Sequence, residues 1–177
     1  MKMKVLELIK KRRSVRAYKD KDIETDAITK LIEAAIWSPS GSNIHAWSLV
    51  ILQKEENIRM IKAFSPGLLG DPATLFILCA DKKKAYEKGG ELGRDVLSLM
   101  DIAIAAQNIC LEATELGIGS CIIRSFNQKA VNELLKLPET VVPELMVSLG
   151  YPLTIPESLH RRGLEEAILY WDKKVGR

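Results

Sequence analysis

The chain has 177 residues, enough for one domain with a real hydrophobic core and no need of disulfides or a structural metal. Hydrophobic residues make up 47% and charged residues 28%, the balance of a soluble globular protein, which excludes a disordered or fibrous chain. With 26 basic against 23 acidic side chains the net charge is only +3, and the acids are spread throughout, which argues against a nucleic-acid-binding protein.

Residues 3–12 place Val5, Leu6, Leu8 and Ile9 at helical spacing, leading into the basic run KKRRSVRAYKD from Lys10 to Asp20. The first residues hold no continuous apolar stretch and no small-residue cleavage site, so they do not read as a signal peptide. Thr25 is placed to cap a second helix with Asp26 in its first turn. Ile28, Leu31, Ile32, Ala35 and Ile36 share one face of it, and Pro39 and Gly41 end it. WSLVILQ (Trp47 to Gln53) and ATLFILCA (Ala73 to Ala80) are apolar runs of strand type, with a helical NIRMIKAF between them. Lys82 to Gly90 is polar, contains Gly-Gly and reads as a loop or mobile segment.

Gly93 to Leu116 predicts a long helix, apolar nearly all round in its middle, that must be covered by its own domain and by a partner. Ser98, Asp101, Gln107, Asn108 and Glu112 interrupt its apolar tract, so a membrane span is not expected. GSCIIRSF gives a third strand, KAVNELLK a helix, PELMVSLGYP a fourth strand, and the tail one more short helix from about Leu164. Helices and strands alternate without a repeat or linker, so residues 1–177 read as one α/β or α+β domain of three layers. Cys79, Cys110 and Cys121 have apolar neighbours and no CxxC spacing; they read as core residues of a protein from a reducing compartment, the cytoplasm.

Four constellations bear on chemistry. Lys10, Lys11, Arg12, Arg13 and Arg16 at a helix end suit the negative end of the macrodipole. The same arginines, with Ser14 between them, also offer the rigid forks and the hydroxyl that can wrap one phosphate monoester. SPSGSN, Ser38 to Asn43, is a loop by composition that presents small donors and acceptors just ahead of His45 and Trp47. In ELGIGSCIIRSF, Gly117 reads as the residue that closes the long helix, and Gly119 permits close approach of backbone to a flat ligand. A second basic pair, Arg161 and Arg162, stands far downstream and can close over the same anion as the first. With two histidines and no supporting carboxylate spacing, no metal site is expected. No GxGxxG, Walker-type loop, GxSxG or Cys/His nucleophile pair is present, so a cofactor would have to bring the reactive group.

Taken in order, KRRSVRAY, LIEAAIWSPSGSNIHAWSLVIL, DIAIAAQNICLEATELGIGSCIIRSF, VPELMVSLGYP and RRGLEE resemble the FMN-dependent nitroreductase family. The resemblance implies an α+β, three-layer fold with a mixed central β-sheet and a long core helix, built as an intertwined homodimer with FMN at the interface. It implies that Arg12, Arg13, Ser14 and Arg16 hold the FMN phosphate and flank its ribityl chain and ring edge. Pro39, Ser40, Gly41 and Asn43 would reach the flavin from the opposite subunit, and Ile118 and Gly119 would lie against the ring. Arg161, with Arg162 one residue on, would return to the phosphate. The family usually reads Gln-Pro-Trp where this chain has His45, Ala46 and Trp47, and it commonly carries a lysine where this chain has Leu159. The activity implied is NAD(P)H-dependent reduction of a nitroaromatic, a quinone or a similar small acceptor by a ping-pong scheme. A flavin carrier or sensor without turnover is the other reading, and neither nucleic acid nor membrane is an expected partner.

Overall fold

Residues 4–172 are described in the computed structural model of the chain. The first helix is found as α1, Val5–Lys11. Met3, placed in it by the sequence reading, lies outside the described residues, as does the end of the tail at 173–177. α2, Thr25–Ile36, starts one residue earlier than expected for a Thr25 cap: Glu24 occupies the cap position. A 3₁₀ turn at Gly41–Asn43 follows, then β1, Trp47–Leu52, α3, Glu55–Lys62, and β2, Thr74–Asp81.

The stretch expected to be a loop is instead helix α4, Lys82–Leu92, whose start is capped by Asp81 accepting from the Lys84 backbone N–H at 3.0 Å. The Gly-Gly does break it, but only at Gly90, where φ is +61° and the chain reverses. After that reversal a π-turn, Gly93–Leu97, runs directly into α5, Ser98–Glu115. Gly93 is required there, because a Cβ would stand 2.4 Å from the Ala85 carbonyl oxygen of α4. β3, Gly119–Ile123, α6, Gln128–Leu134, β4, Val141–Gly150, and the short α7, Leu164–Ala167, complete the order.

The four strands lie in the order β1-β2-β4-β3, and every pairing between them is antiparallel. Among the described residues, the parallel component of the sheet is a single bridge, Ser14 to Ser120. β2 is buried over almost its whole length because it is covered on both faces, which is why it reads as an unbroken apolar run. Phe76, Leu78 and Ala80 face α2 and α5, while Leu75, Ile77 and Cys79 face α3 and α6, the alternation that a strand imposes. Helices on both sides of one sheet make the three layers. Full burial of each large side chain here contributes about 1.5–3 kcal/mol.

α5 is the axis of the molecule. Ile102, Ala105, Ala106, Ile109, Cys110 and Ala113 are buried against α2 and the sheet. By length and composition the stretch 82–115 could cross a membrane, but it is broken at Gly90 and its buried side is the core of this domain. Its other side is also apolar and uncovered: Leu92, Val96, Met100 and Ile104, at successive i+4 positions, are 61%, 44%, 57% and 39% exposed. α1 buries nothing, and residues 153–172 are exposed throughout although they include Leu153, Ile155, Leu159, Leu164 and Trp171.

Candidate functional site

The basic run turns a helix end into an extended strand-like segment. Arg13 Nη1 donates to the carbonyls of Lys10 and Arg12, so this arginine does close the C-terminal end of α1. Both bonds use one nitrogen, and the remaining guanidinium donors stay available. Ser14 then bridges to Ser120 at the start of β3, with the Val15 N–H donating to the Ser120 carbonyl at 2.9 Å. Tyr18 pins the far end, donating its hydroxyl to the Val15 carbonyl at 2.6 Å and sharing a 2.8 Å bond with Ser148 Oγ. Burial raises the Tyr18 phenol well above its ordinary range, against a smaller opposing effect of the Ser148 bond, so it remains a neutral donor. Arg12 is half-buried and Arg16 exposed, and among the described residues neither guanidinium has a hydrogen-bond or ion-pair partner.

Beside this segment α5 ends as the sequence predicts. Gly117 adopts φ +72°, its N–H meets the Thr114 carbonyl at 3.3 Å, and the Ile118 N–H meets the Ala113 carbonyl at 2.7 Å. These are the paired bonds of a Schellman closure. Gly119 has a reason within the fold: a Cβ there would stand 2.8 Å from the Val15 side chain. The missing side chain makes room for the basic run. Lys11, Arg13, Val15, Gly117, Ile118, Gly119 and the tail residue Ile155 line a cleft of about 100 Å³. Ligand pockets usually enclose roughly 300–1,000 Å³, so this cleft is one wall of a site. Lys11 was not singled out in the sequence as a wall residue; its place within the run was the only signal.

The loop 38–45 lies at the other end of α5. The Gly41 N–H donates to Asp101 Oδ1 at 2.9 Å, and a Cβ on Gly41 would come within 2.9 Å of Leu97. The Ser40 hydroxyl accepts from the His45 N–H at 3.1 Å, Asn43 Oδ1 and His45 Nε2 are 2.8 Å apart, and Lys84 Nζ donates to the His45 carbonyl at 3.0 Å. Ser42, Asn43 and His45 all have positive φ, 50°, 56° and 47°. Each such residue costs about 1–3 kcal/mol, and the surrounding bonds have to offset that. Pro39 and Asn43 are exposed, Ser40 and Gly41 half-buried. From Asp101 to Glu115 the helix rises roughly 21 Å at 1.5 Å per residue. The loop and the Arg13–Gly119 wall therefore belong to different places on one chain.

Arg161 and Arg162 sit on the exposed tail; neither lines the cleft, and neither has a bonding partner among the described residues. A larger concavity of about 440 Å³ lies between α6 and β4, away from the basic run. Its amides are already used, Gln128 on the Pro143 carbonyl at 2.9 Å and Asn132 on the Val141 carbonyl at 2.6 Å. All three cysteines are free and buried. Burial, with a lesser push from the Glu144 charge, holds the Cys79 thiol up at about 12, and burial likewise raises Cys110. Those two are packing groups at neutral pH rather than nucleophiles.

The Nitroreductase family profile matches residues 9–71 and 60–151. A protein of Archaeoglobus fulgidus, provisionally named NADH dehydrogenase/NAD(P)H nitroreductase, is 35% identical over 156 residues, covering 83% of this chain and 84% of that one. The Bacillus subtilis protein named FMN reductase (NADPH) is 26% identical over 165 residues, covering 85% of this chain and 66% of that one. Among solved structures, a nitroreductase family protein from Clostridium difficile 630 superimposes with a TM-score of 0.85 at 29% identity, covering 97% of this chain and 100% of that one. The fold defines a nitroreductase-like α+β protein. The chain belongs to the nitroreductase family.

Proposed function

We propose that the chain is an NAD(P)H-dependent oxidoreductase that works through bound FMN and reduces a small oxidised acceptor such as a nitroaromatic or a quinone. The relatives named NAD(P)H nitroreductase and FMN reductase (NADPH) support the donor and the cofactor. The observation that carries the reading is the Ser14–Ser120 bridge, which joins the basic run to the Gly117–Gly119 closure as one wall.

The donor set fits a flavin mononucleotide. Arg12, Arg16 and the remaining donors of Arg13 are charged forks suited to a phosphate monoester, with the Ser14 hydroxyl beside them. Ile118, Gly119 and Val15 offer an apolar, flat surface against which a ring can rest. Bound FMN would supply the redox chemistry, taking electrons from NAD(P)H and passing them to the acceptor in turn. The chain's own part is to bind, orient and exclude water, and no residue is assigned as a dedicated base.

The second wall is supplied by another copy of the chain, in a homodimer. The cleft is too small for a flavin alone, and Pro39, Ser40, Gly41 and Asn43 lie on a loop at the opposite end of α5. The exposed apolar stripe of α5, the outer face of α1 and the uncovered tail are surfaces that a second copy would bury. On this reading the tail lays Arg161 or Arg162 over the phosphate of a shared site. The buried free thiols suit a reducing compartment such as the cytoplasm.

The purified protein is expected to show flavin absorbance at one FMN per chain and to oxidise NADH or NADPH only when a quinone or nitroaromatic acceptor is supplied. A colourless protein that fails to take up FMN in equilibrium titration overturns the cofactor reading. Stoichiometric FMN without acceptor-dependent turnover makes it a flavin-binding protein of another kind.

A further inference from the structure

We infer that Asp101 is a positioning residue for the flavin site of the other subunit, acting through the loop it holds and not through its own helix end. The inference rests on the reading that loop 38–43 forms the second wall of a shared site.

Asp101 is 4% exposed, in the first turn of core helix α5, and its neighbours at 102, 105 and 106 are apolar and fully buried. A buried carboxylate is costly unless it is paired or hydrogen-bonded. Among the described residues Asp101 forms no ion pair, and the bond it makes is to the Gly41 N–H at 2.9 Å. A leucine would fill the same place in the core with no such penalty. The carboxylate therefore serves a bond that leads out of the core to the backbone of the Ser40–Asn43 segment.

That segment cannot hold its own shape by backbone preference, because Ser42, Asn43 and His45 are all left-handed. Its internal bonds, from the Asn43 and Ile44 N–H groups to the Ser40 and Gly41 carbonyls and between Ser40, Asn43 and His45, close within the loop and do not fix it to the domain. Lys84 reaches the His45 carbonyl from α4, at the loop's far side. The Asp101 bond is the one that fixes the Gly41 end to the core helix. Asp101 thus sets the position of Pro39, Ser40 and Asn43, and the Gly41 packing against Leu97 sets their distance from the helix.

The test uses mixed dimers made by co-expressing two differently tagged chains, with FMN per dimer read from absorbance after equilibrium dialysis. Asp101→Ala homodimers should hold FMN roughly tenfold more weakly, the size expected for losing one charge-assisted bond. Asp101→Asn keeps an oxygen acceptor and should restore binding. A dimer of one Asp101→Ala chain and one Arg16→Ala chain should carry one intact site, since both lesions fall in the same site. Were Asp101 to act at its own chain's Gly117–Gly119 wall, or by loosening the whole chain, both sites of that mixed dimer would fail.

The control is a dimer of one Asn43→Ala and one Arg16→Ala chain. If the control holds one flavin and the Asp101 pairing holds none, the positioning role is overturned and the shared site stands. If the control holds none, the shared-site reading itself falls. Amide exchange in the flavin-free protein gives an independent measurement: the Gly41 amide should lose protection in Asp101→Ala while the β2 amides keep theirs. Unchanged Gly41 protection overturns the inference. Should Asp101→Ala not fold, Asp101→Leu, which fills the volume without an acceptor, carries the same expectations.

Discussion

At the C-terminal end of α5 the chain is closed by backbone bonds from Gly117 and Ile118, and the neighbouring basic run is laid down by ladder-like bonds to Ser120. At the N-terminal end, loop 38–45 is held by side chains, from Asp101, Ser40, Asn43 and Lys84, and three of its residues are left-handed without being glycine. One end is held by backbone bonds, a glycine closure and a ladder bridge, that call for no particular polar side chain. The other is a strained segment kept in place by contacts from distant parts of the sequence. Both ends offer groups to a ligand, but they should fail under different substitutions.

The largest effect should come from the middle, where both ends share a support. Ile109 is fully buried between α2 and the sheet, and Ile109→Ala should cost about 2–5 kcal/mol in urea unfolding. Both ends should then loosen together, as seen by amide exchange at Ile118 and at Gly41. Loosening confined to one end would show that α5 does not couple them.

Arg16→Ala comes next and belongs to the C-terminal end alone. A charge-assisted contact to phosphate is worth roughly 1.5–3 kcal/mol, one to two decades in FMN affinity. Lys10→Ala, at the exposed end of α1, should change affinity by a few tenths of a kcal/mol, about the worth of a surface charge near a helix terminus. Equal losses in a titration of the two variants would mean that the basic run acts as a diffuse field rather than a clamp.

A pair of glycines then separates the ends directly. In Gly119→Ala the new Cβ meets the branched Val15 side chain at its Cβ and both Cγ atoms, at 2.8 to 3.0 Å, with the basic run behind it. Overpacking of this kind costs about 1–3 kcal/mol and should also weaken FMN binding, because the arginines move with Val15. In Gly41→Ala the closest atom is Leu97 Cδ1 at 2.9 Å, the end of a half-buried side chain that can turn away, and the Leu97 Cβ and Cγ stand farther off at 3.2 and 3.3 Å. The smaller loss should fall at Gly41. A larger loss at Gly41 than at Gly119 would reverse the assignment of which end is tightly packed.

The same contrast governs what could be read from the sequence. Much of the C-terminal end is legible because its signals are local: Gly117 follows the cap residue Leu116 of the long helix, and the arginines run straight into the segment that bridges to β3. The core strands were legible because burial on both faces leaves an unbroken apolar run, as in β2. α4 reads as a loop in the sequence because Gly-Gly is a strong breaker signal, whereas the Asp81 cap and the good helix formers after it carry the helix as far as Gly90. In the sequence Asp101 is only an interruption of an apolar tract. Its partner, Gly41, is sixty residues away and offers a backbone N–H, which leaves no trace in side-chain pattern. The packing of Gly119 against Val15 is hidden in the same way, since Val15 is distant in sequence.

The smallest expected effect bears on strain itself. Gly117 and Ser42 both sit at positive φ, 72° and 50°, yet only the first is a glycine. Left-handed backbone costs an ordinary L-residue roughly 1–2 kcal/mol, so Gly117→Ala should lower stability by about that amount. Ser42 is exposed and its hydroxyl has no partner among the described residues, so Ser42→Gly removes the strain and loses no bond. Against that gain, glycine adds about 0.4–1 kcal/mol of unfolded-state freedom. The net change should lie between zero and about 1.6 kcal/mol of stabilisation, measured by urea unfolding of the flavin-free protein. A loss of 1 kcal/mol or more on Ser42→Gly would mean that the loop is not strained at this position. The side-chain bonds of the N-terminal end would then be an addition to a preferred conformation, and the distinction between the two ends of α5 would disappear.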